Sequence, residues 1–253
     1  MQIIVITPYP HAPRADIMSL MSKRLCVIVP AYNEAKVLQD VVKHARKVFS
    51  KSRYDIDIVV VNDGSKDATS IEAQKGGALV IDHILNSGAG CATATGLSYA
   101  MQSNYTAAAT MDADGQHAPE DVLKGFDLLF KQGGDLLIGS RLIDNSGMSR
   151  VKVLGNKGLS FITFVLFGIN STDSQSGLRI YGRKALEELR WTTSGYEFCS
   201  EMLWRANQLK LEIKEFPIKA IYTEYSKAKG QSNWNAINII KSLLRRRIVE
   251  MFE

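Results

Sequence analysis

Apolar runs that end in polar turns and give way to helical spacing recur four times in the first half of the chain. Residues 24–29 form the first run. Pro30-Ala31-Tyr32-Asn33-Glu34 stops it, and apolar positions then return at helical intervals through Val37, Leu38, Val41, Val42 and Ala45. Residues 57–61 repeat the unit and end in the turn 62–67, where Gly64 permits positive φ and Asp67 can cap the next helix. Residues 78–84, the loop 86–90 and a small-residue helix to about Met101 make the third. The fourth strand, 105–111, delivers Met111-Asp112-Ala113-Asp114-Gly115-Gln116-His117, and Ala118-Pro119-Glu120 then opens a helix with proline in its first turn.

Such a succession predicts right-handed crossovers and one α/β domain with a mainly parallel sheet covered on both faces. Ligands gather at the carboxyl ends of the strands in these sheets, and every loop above falls there. A fifth strand, 135–139, leads to Ser140-Arg141 and a turn-rich loop at 144–150. Residues 151–168 combine Lys152 and Lys157 with Phe161, Ile162, Phe164, Val165, Leu166 and Phe167, and read either as a core helix or as a helix resting on a membrane surface. A loop and strand over 173–181 follow, then a helix over 196–207 whose Glu197 and Glu201 read as a solvated face, then strands at 211–216 and 218–223.

Residues 225–235 are polar and basic and read as mobile. The terminal helix aligns Ile237, Ile240, Leu244, Ile248 and Met251 beside Lys241 and three consecutive arginines. It suits anionic lipid head groups, a small membrane-protein partner, or docking on the main domain. The expected division is an extension over 1–22, a domain over 23–225, and a basic loop with an amphipathic helix over 226–253. A native start at Met18 or Met21 would make residues 1–17 an upstream extension; the alternative is an edge strand at 2–7.

Two aspartates one residue apart at a strand exit can share a hard divalent cation with bound phosphates, and Gln116 adds an oxygen donor. His117 is expected in a structural or substrate-facing role, because such a site prefers oxygen. The chain of 253 residues has a formal net charge of only +5 and three scattered cysteines, Cys26, Cys91 and Cys199, without metal spacing; this fits a reducing, cytoplasmic setting. Its first residues lack a secretory signal, and its longest apolar run, 159–169, is about half the length of a membrane span. Nucleic-acid binding is not indicated, since no recognition motif or interleaved aromatics accompany the positive residues. A homo-oligomer is compatible with the sequence.

The ordered motifs Val-Ile-Val-Pro-Ala-Tyr-Asn-Glu (27–34), Val-Asn-Asp-Gly-Ser (61–65), Met-Asp-Ala-Asp-Gly-Gln-His (111–117), Gly-Ser-Arg (139–141) and Ser-Gly-Leu-Arg (176–179) resemble glycosyltransferase family 2, especially its dolichol-phosphate mannose synthases and polyprenyl-phosphate glycosyltransferases. The resemblance spans roughly residues 25–233. It implies a GT-A (Rossmann-like) fold, a GDP- or UDP-linked sugar donor, Mg²⁺ or Mn²⁺, and inverting transfer of one sugar to a polyprenyl phosphate at the inner face of the membrane. Position by position, Pro30, Tyr32, Glu34 and Asp63 would hold the nucleoside, Gly88 and Gly90 would approach the donor, and Asp112, Asp114 and Gln116 would hold metal and diphosphate. Arg141, Lys152 and Asn156 would meet the acceptor phosphate, and Lys227 and Lys229 would close over the phosphates. Catalysis would thus centre on Asp112, Asp114 and Arg141.

The chain departs from the family pattern: Ala89 stands where relatives often carry lysine in Asn-x-Gly-Lys-Gly, Asn62 replaces the first acid of Asp-Asp-Gly-Ser, and a basic amphipathic helix stands where many bacterial relatives carry two C-terminal transmembrane helices. No processive Gln-x-x-Arg-Trp motif follows, so chain polymerisation is not expected. Transfer to a saccharide hydroxyl would need a carboxylate base, for which Asp173 is the candidate, although shaping the acceptor loop is its plainer role. A nucleotide-sugar-binding module without turnover is the reading from another class.

Overall fold

The computed structural model describes residues 5–7, 23–145, 148–222, 225, 241 and 244. In chain order the first part comprises β1 (Val5–Thr7), β2 (Arg24–Ala31), α1 (Leu38–Phe49), β3 (Asp55–Asn62), α2 (Thr69–Gly76), β4 (Leu79–Asp82), α3 (Ala89–Gln102), β5 (Ala107–Thr110) and α4 (Pro119–Gln132). The remainder comprises β6 (Leu136–Ser140), α5 (Arg150–Phe167), β7 (Arg179–Tyr181), α6 (Arg183–Glu188), α7 (Phe198–Gln208) and β8 (Ile213–Pro217).

The sheet runs β1-β4-β3-β2-β5-β7-β6-β8. Strands β4, β3, β2 and β5 are parallel neighbours, β8 is parallel to β6, and β7 lies antiparallel between β5 and β6. Successive residues of a strand face opposite sides. Val27 and Val60 therefore pack with Leu38, Val42, Phe126 and Ile180 on one face, while Ile28 and Val61 pack with Leu97, Leu136, Met202 and Trp204 on the other. Each such side chain contributes about 1.5–3 kcal/mol on burial. This two-sided core explains why the strands read as continuous apolar runs.

Three features differ from the sequence reading. Residues 218–222 form no strand: past Pro217 the chain crosses the sheet end, its Ile218 N–H bonded to Ser140 O and its Ile221 N–H to Gln116 O. The short helix α6 was not expected. β1 pairs antiparallel with β4, so the edge-strand alternative describes residues 5–7. Of the expected C-terminal loop and helix, only Lys241 and Leu244 are described, both helical and exposed; Lys227, Lys229 and the rest of 226–253 lie outside the described residues. Among the described residues no helix is long and apolar enough to cross a membrane.

Candidate active site

The loop of Asp112 to His117 leaves β5 between two supports. Thr110 Oγ1 donates to Gly177 O at 2.7 Å, and Gly177 lies so close under Asp112 that a Cβ there would collide with the carboxylate. On the other side the Asp112 N–H donates to His117 Nδ1 at 3.1 Å. The ring proton then sits on Nε2, 3.7 Å from Asp112 Oδ2. Buried His117 thus orients Asp112, whose side chain remains 44% exposed.

Asp114 accepts from the Gln116 N–H at 3.1 Å and from the Gln116 side-chain amide. Burial pushes its carboxyl pKa up and the charge of Asp112 adds to this, while the Gln116 hydrogen bonds act against them. Two crowded carboxylates with only oxygen donors suit a hard divalent cation, which would relieve both penalties. No cluster of three or more histidine, cysteine or acidic ligands occurs among the described residues. The donor set therefore fits a Mg²⁺-type ion that completes its shell with substrate phosphates and water.

At the neighbouring strand ends, Pro30 and Ala31 are the last residues of β2, and Tyr32 beyond them is 38% exposed. Asn33 adopts φ 54° and is locked to the next loop by Asn33 N–H to Ser65 Oγ (2.9 Å) and Lys66 N–H to Asn33 Oδ1 (2.9 Å). Glu34 is nearly buried; its N–H donates to Thr69 Oγ1 and its Oε2 accepts from the Tyr225 hydroxyl at 2.8 Å. Asp63 faces inward. It accepts from the Ser87 and Gly88 N–H groups at 2.9 and 2.8 Å and meets His83 Nδ1 at 2.8 Å, so it braces the loop 86–90. The asparagine at 62 is matched to its surroundings, since its Nδ2 donates to Asp82 Oδ1 at 2.7 Å.

Gly88 and Gly90 serve a close backbone approach. A Cβ on either would strike the carbonyl of Ser194 or Thr193, and the Gly90 N–H donates to Ser194 O at 2.7 Å. Trp191 Nε1 donates to Gly90 O at 3.2 Å. Glu201, expected on a solvated face, is instead 1% exposed and accepts from the Thr192 and Thr193 N–H groups at 3.1 and 2.8 Å. These contacts weld the loop 191–197 to the strand ends. Half-exposed Tyr196 projects from it into the field of Asp112, Glu34 and Asp114, and burial followed by those charges raises its phenol pKa. Sequence reasoning missed both: Glu201 is anchored by backbone groups of Thr192 and Thr193, and Tyr196 meets carboxylates far away in the chain.

Arg141 does not stand alone. Its Nε and Nη2 reach Asp173 at 2.7 and 2.9 Å, and its own N–H adds a third bond. Burial lowers the guanidinium's pKa, but Asp173 and nearby Asp112 more than offset this and hold it protonated. Fully buried and paired twice with the guanidinium, Asp173 fixes Arg141 and is not placed to act as a general base. Arg179, also buried, donates to the carbonyls of Ser174, Ser176 and Cys199 and so ties that loop to α7.

Helix α5 carries features of both of its readings. Its inward stripe is mixed: Leu159 and Phe167 enter the core, Ser160 and Thr163 join Ser174 and Ser200 through hydroxyl bonds of 3.0–3.4 Å, and helical spacing continues the stripe toward the N-terminus through half-buried Asn156 and exposed Lys152. Its outward stripe is apolar, with Val151 77%, Leu154 74%, Phe161 65% and Val165 62% exposed. Lys157, Phe161 and Phe164 line a groove with Leu142 and Thr172 next to Arg141.

The comparisons agree with this geometry. The model of Glycosyl transferase family 2 matches residues 26–190. The UDP-N-acetylglucosamine–dolichyl-phosphate N-acetylglucosaminyltransferase of Methanococcus voltae is 38% identical, with 92% of this chain and all of that protein covered. The polyprenol monophosphomannose synthase of Mycolicibacterium smegmatis is 30% identical, covering 88% of this chain and 86% of that one. The crystal structure of Mycobacterium tuberculosis glucosyl-3-phosphoglycerate synthase with Mg²⁺ and UDP shares the fold at TM-score 0.62 and 20% identity, over 87% of this chain and 79% of that one. A GT-A-type α/β sheet with an Asp-x-Asp loop at its strand ends, and relatives of this kind over nearly the whole chain, make this protein a glycosyltransferase belonging to family 2.

Proposed function

We propose that the enzyme transfers a single sugar, with inversion, from a UDP- or GDP-linked donor to a polyprenyl phosphate at the inner face of a membrane. Helix α5 carries the acceptor assignment: it presents Val151, Leu154, Phe161 and Val165 outward, while Lys152 at its start packs on Tyr222, which lies in the field of Arg141. A lipid phosphate needs those two surfaces adjacent, and a soluble saccharide needs neither. The named activities of the relatives support the same acceptor class.

Asp112 and Asp114, with Gln116 bracing Asp114, would hold Mg²⁺ or Mn²⁺ against the donor's diphosphate, and such an ion would offset the charge of the departing group. Pro30, Tyr32 and Glu34 would line the nucleoside end, with Asp63 fixing the loop beside it. Arg141 would orient the acceptor phosphate for in-line attack; that oxygen is already anionic, so no base is required and Asp173 is free to serve as the arginine's partner. Lys227 and Lys229, in the basic segment after the catalytic unit, would close over the phosphates.

The test is incubation with UDP-N-acetylglucosamine or GDP-mannose and Mn²⁺, offering either a polyprenyl phosphate or an oligosaccharide. Metal-dependent transfer to the phosphate is expected. Transfer to the oligosaccharide alone would replace this reading with the hydroxyl-acceptor one, and donor binding without any transfer would favour the binding module.

A further inference from the structure

We infer that Tyr222 is a positioning residue that holds Lys152 beside Arg141, so that two cations rather than one engage the acceptor's phosphate. This deepens the function proposed above and rests on it. The Ile221 N–H donates to Gln116 O at 3.1 Å, which pins the following residue next to the metal loop. From there the Tyr222 ring lies under α5, with Lys152 Nζ 3.9 Å from its centroid. The half-buried phenol also feels the charges of Arg141 and Asp173. One aromatic side chain therefore bridges the metal loop, the arginine and the first turn of the lipid-side helix.

The bridge matters because Arg141 spends its charge on Asp173 through a bidentate pair. The arginine offers geometry with little net charge, whereas a dianionic phosphate needs both. Among the described residues Lys152 has no acidic partner within 4.0 Å. It sits where Ser149 caps the helix, the end whose dipole favours anions. An exposed lysine on a four-carbon stem samples many directions; a ring beneath its ammonium selects one, worth about two- to fivefold in an equilibrium constant.

The experiment measures steady-state transfer to a polyprenyl phosphate in detergent, with KM for acceptor and donor determined separately. Tyr222→Leu should raise the acceptor KM about two- to fivefold, the scale of a lost ring-to-cation contact, and leave the donor KM in place. Tyr222→Phe keeps the ring and should restore the acceptor KM. In a Lys152→Ala background Tyr222→Leu should add nothing. The inference is overturned if the leucine variant leaves acceptor KM unchanged, if its effect persists without Lys152, or if phenylalanine is as damaging as leucine. Should the leucine variant lose its cooperative melt, Tyr222→Trp decides instead: it keeps an aromatic face, and a raised acceptor KM would count against the inference. Absence of transfer by the wild-type enzyme would sink the proposed function itself, a result distinct from all of these.

Discussion

The carbonyl oxygen of Ser194 occupies the space in which a side chain on Gly88 would begin, and the Gly90 N–H bonds to that same oxygen. Gly88 also holds φ 96°, outside the range L residues adopt readily. Gly88→Ala should therefore displace the 191–197 loop and cost about 1–3 kcal/mol. Urea unfolding with a parallel activity assay checks this; an unchanged midpoint would mean that the loop is not seated on the glycine.

Glu201 gives the same loop a pH dependence. Burial alone would raise its pKa, but the Thr193 and Thr192 hydrogen bonds outweigh burial and hold it below the ordinary glutamate value. The stabilisation is thus fully present above about pH 4.3 and disappears as pH falls through the lowered native value. Glu201→Gln should cost about 1–3 kcal/mol at neutral pH, with the gap to wild type closing in acid. A gap that stays constant with pH would show that the charge is not what anchors the loop.

Asn62→Asp restores the acid common in relatives, yet it replaces a donor to Asp82 by a second carboxylate. Destabilisation of about 1–3 kcal/mol is expected, with recovery in Asn62→Asp/Asp82→Asn. Thermal melts of the single and double variants decide this, and additive losses would exclude the pairing.

Mn²⁺ with UDP should raise the melting temperature, the stabilisation growing with the logarithm of ligand concentration to about 2.7 kcal/mol at one hundred times Kd. Asp112→Ala should lose that increment while its metal-free melt stays close to wild type, because the side chain is 44% exposed. A retained increment would move the metal site elsewhere.

Phe161→Ser with Phe164→Ser removes exposed apolar surface from α5. Folding stability should stay within about 0.5 kcal/mol per site, while sedimentation with anionic phospholipid vesicles should fall. Unchanged vesicle binding would remove α5 from the membrane-facing surface.

Much of this was legible in the chain. The units from β2 to α4 announce themselves because their strands are buried on both faces and their loops are polar. The segment 218–223 misled because its alternation suits a strand, whereas pairing needs a free strand edge and Ile221 bonds Gln116 instead. Helix α5 was ambiguous because apolar residues alone do not say which face is inward; Leu159 and Phe167 enter the core beside hydroxyls bonded to Ser174 and Ser200, while Val151, Leu154, Phe161 and Val165 stay outside. Arg141 reads as available in sequence, and its partner Asp173 is 32 residues away. Tyr222 carries no local signal at all, since its significance lies in Lys152 and Gln116.

The seat of Asp112 on Gly177 has a last consequence. The carboxylate that would grip the nucleotide's ion rests on the backbone of the loop that would receive the lipid, with no room between them for even a methyl group. On the proposed reading, a shift of one loop would press on the other and couple donor to acceptor binding. By thermodynamic reciprocity, whatever factor the first ligand imposes on the second, the second returns to the first.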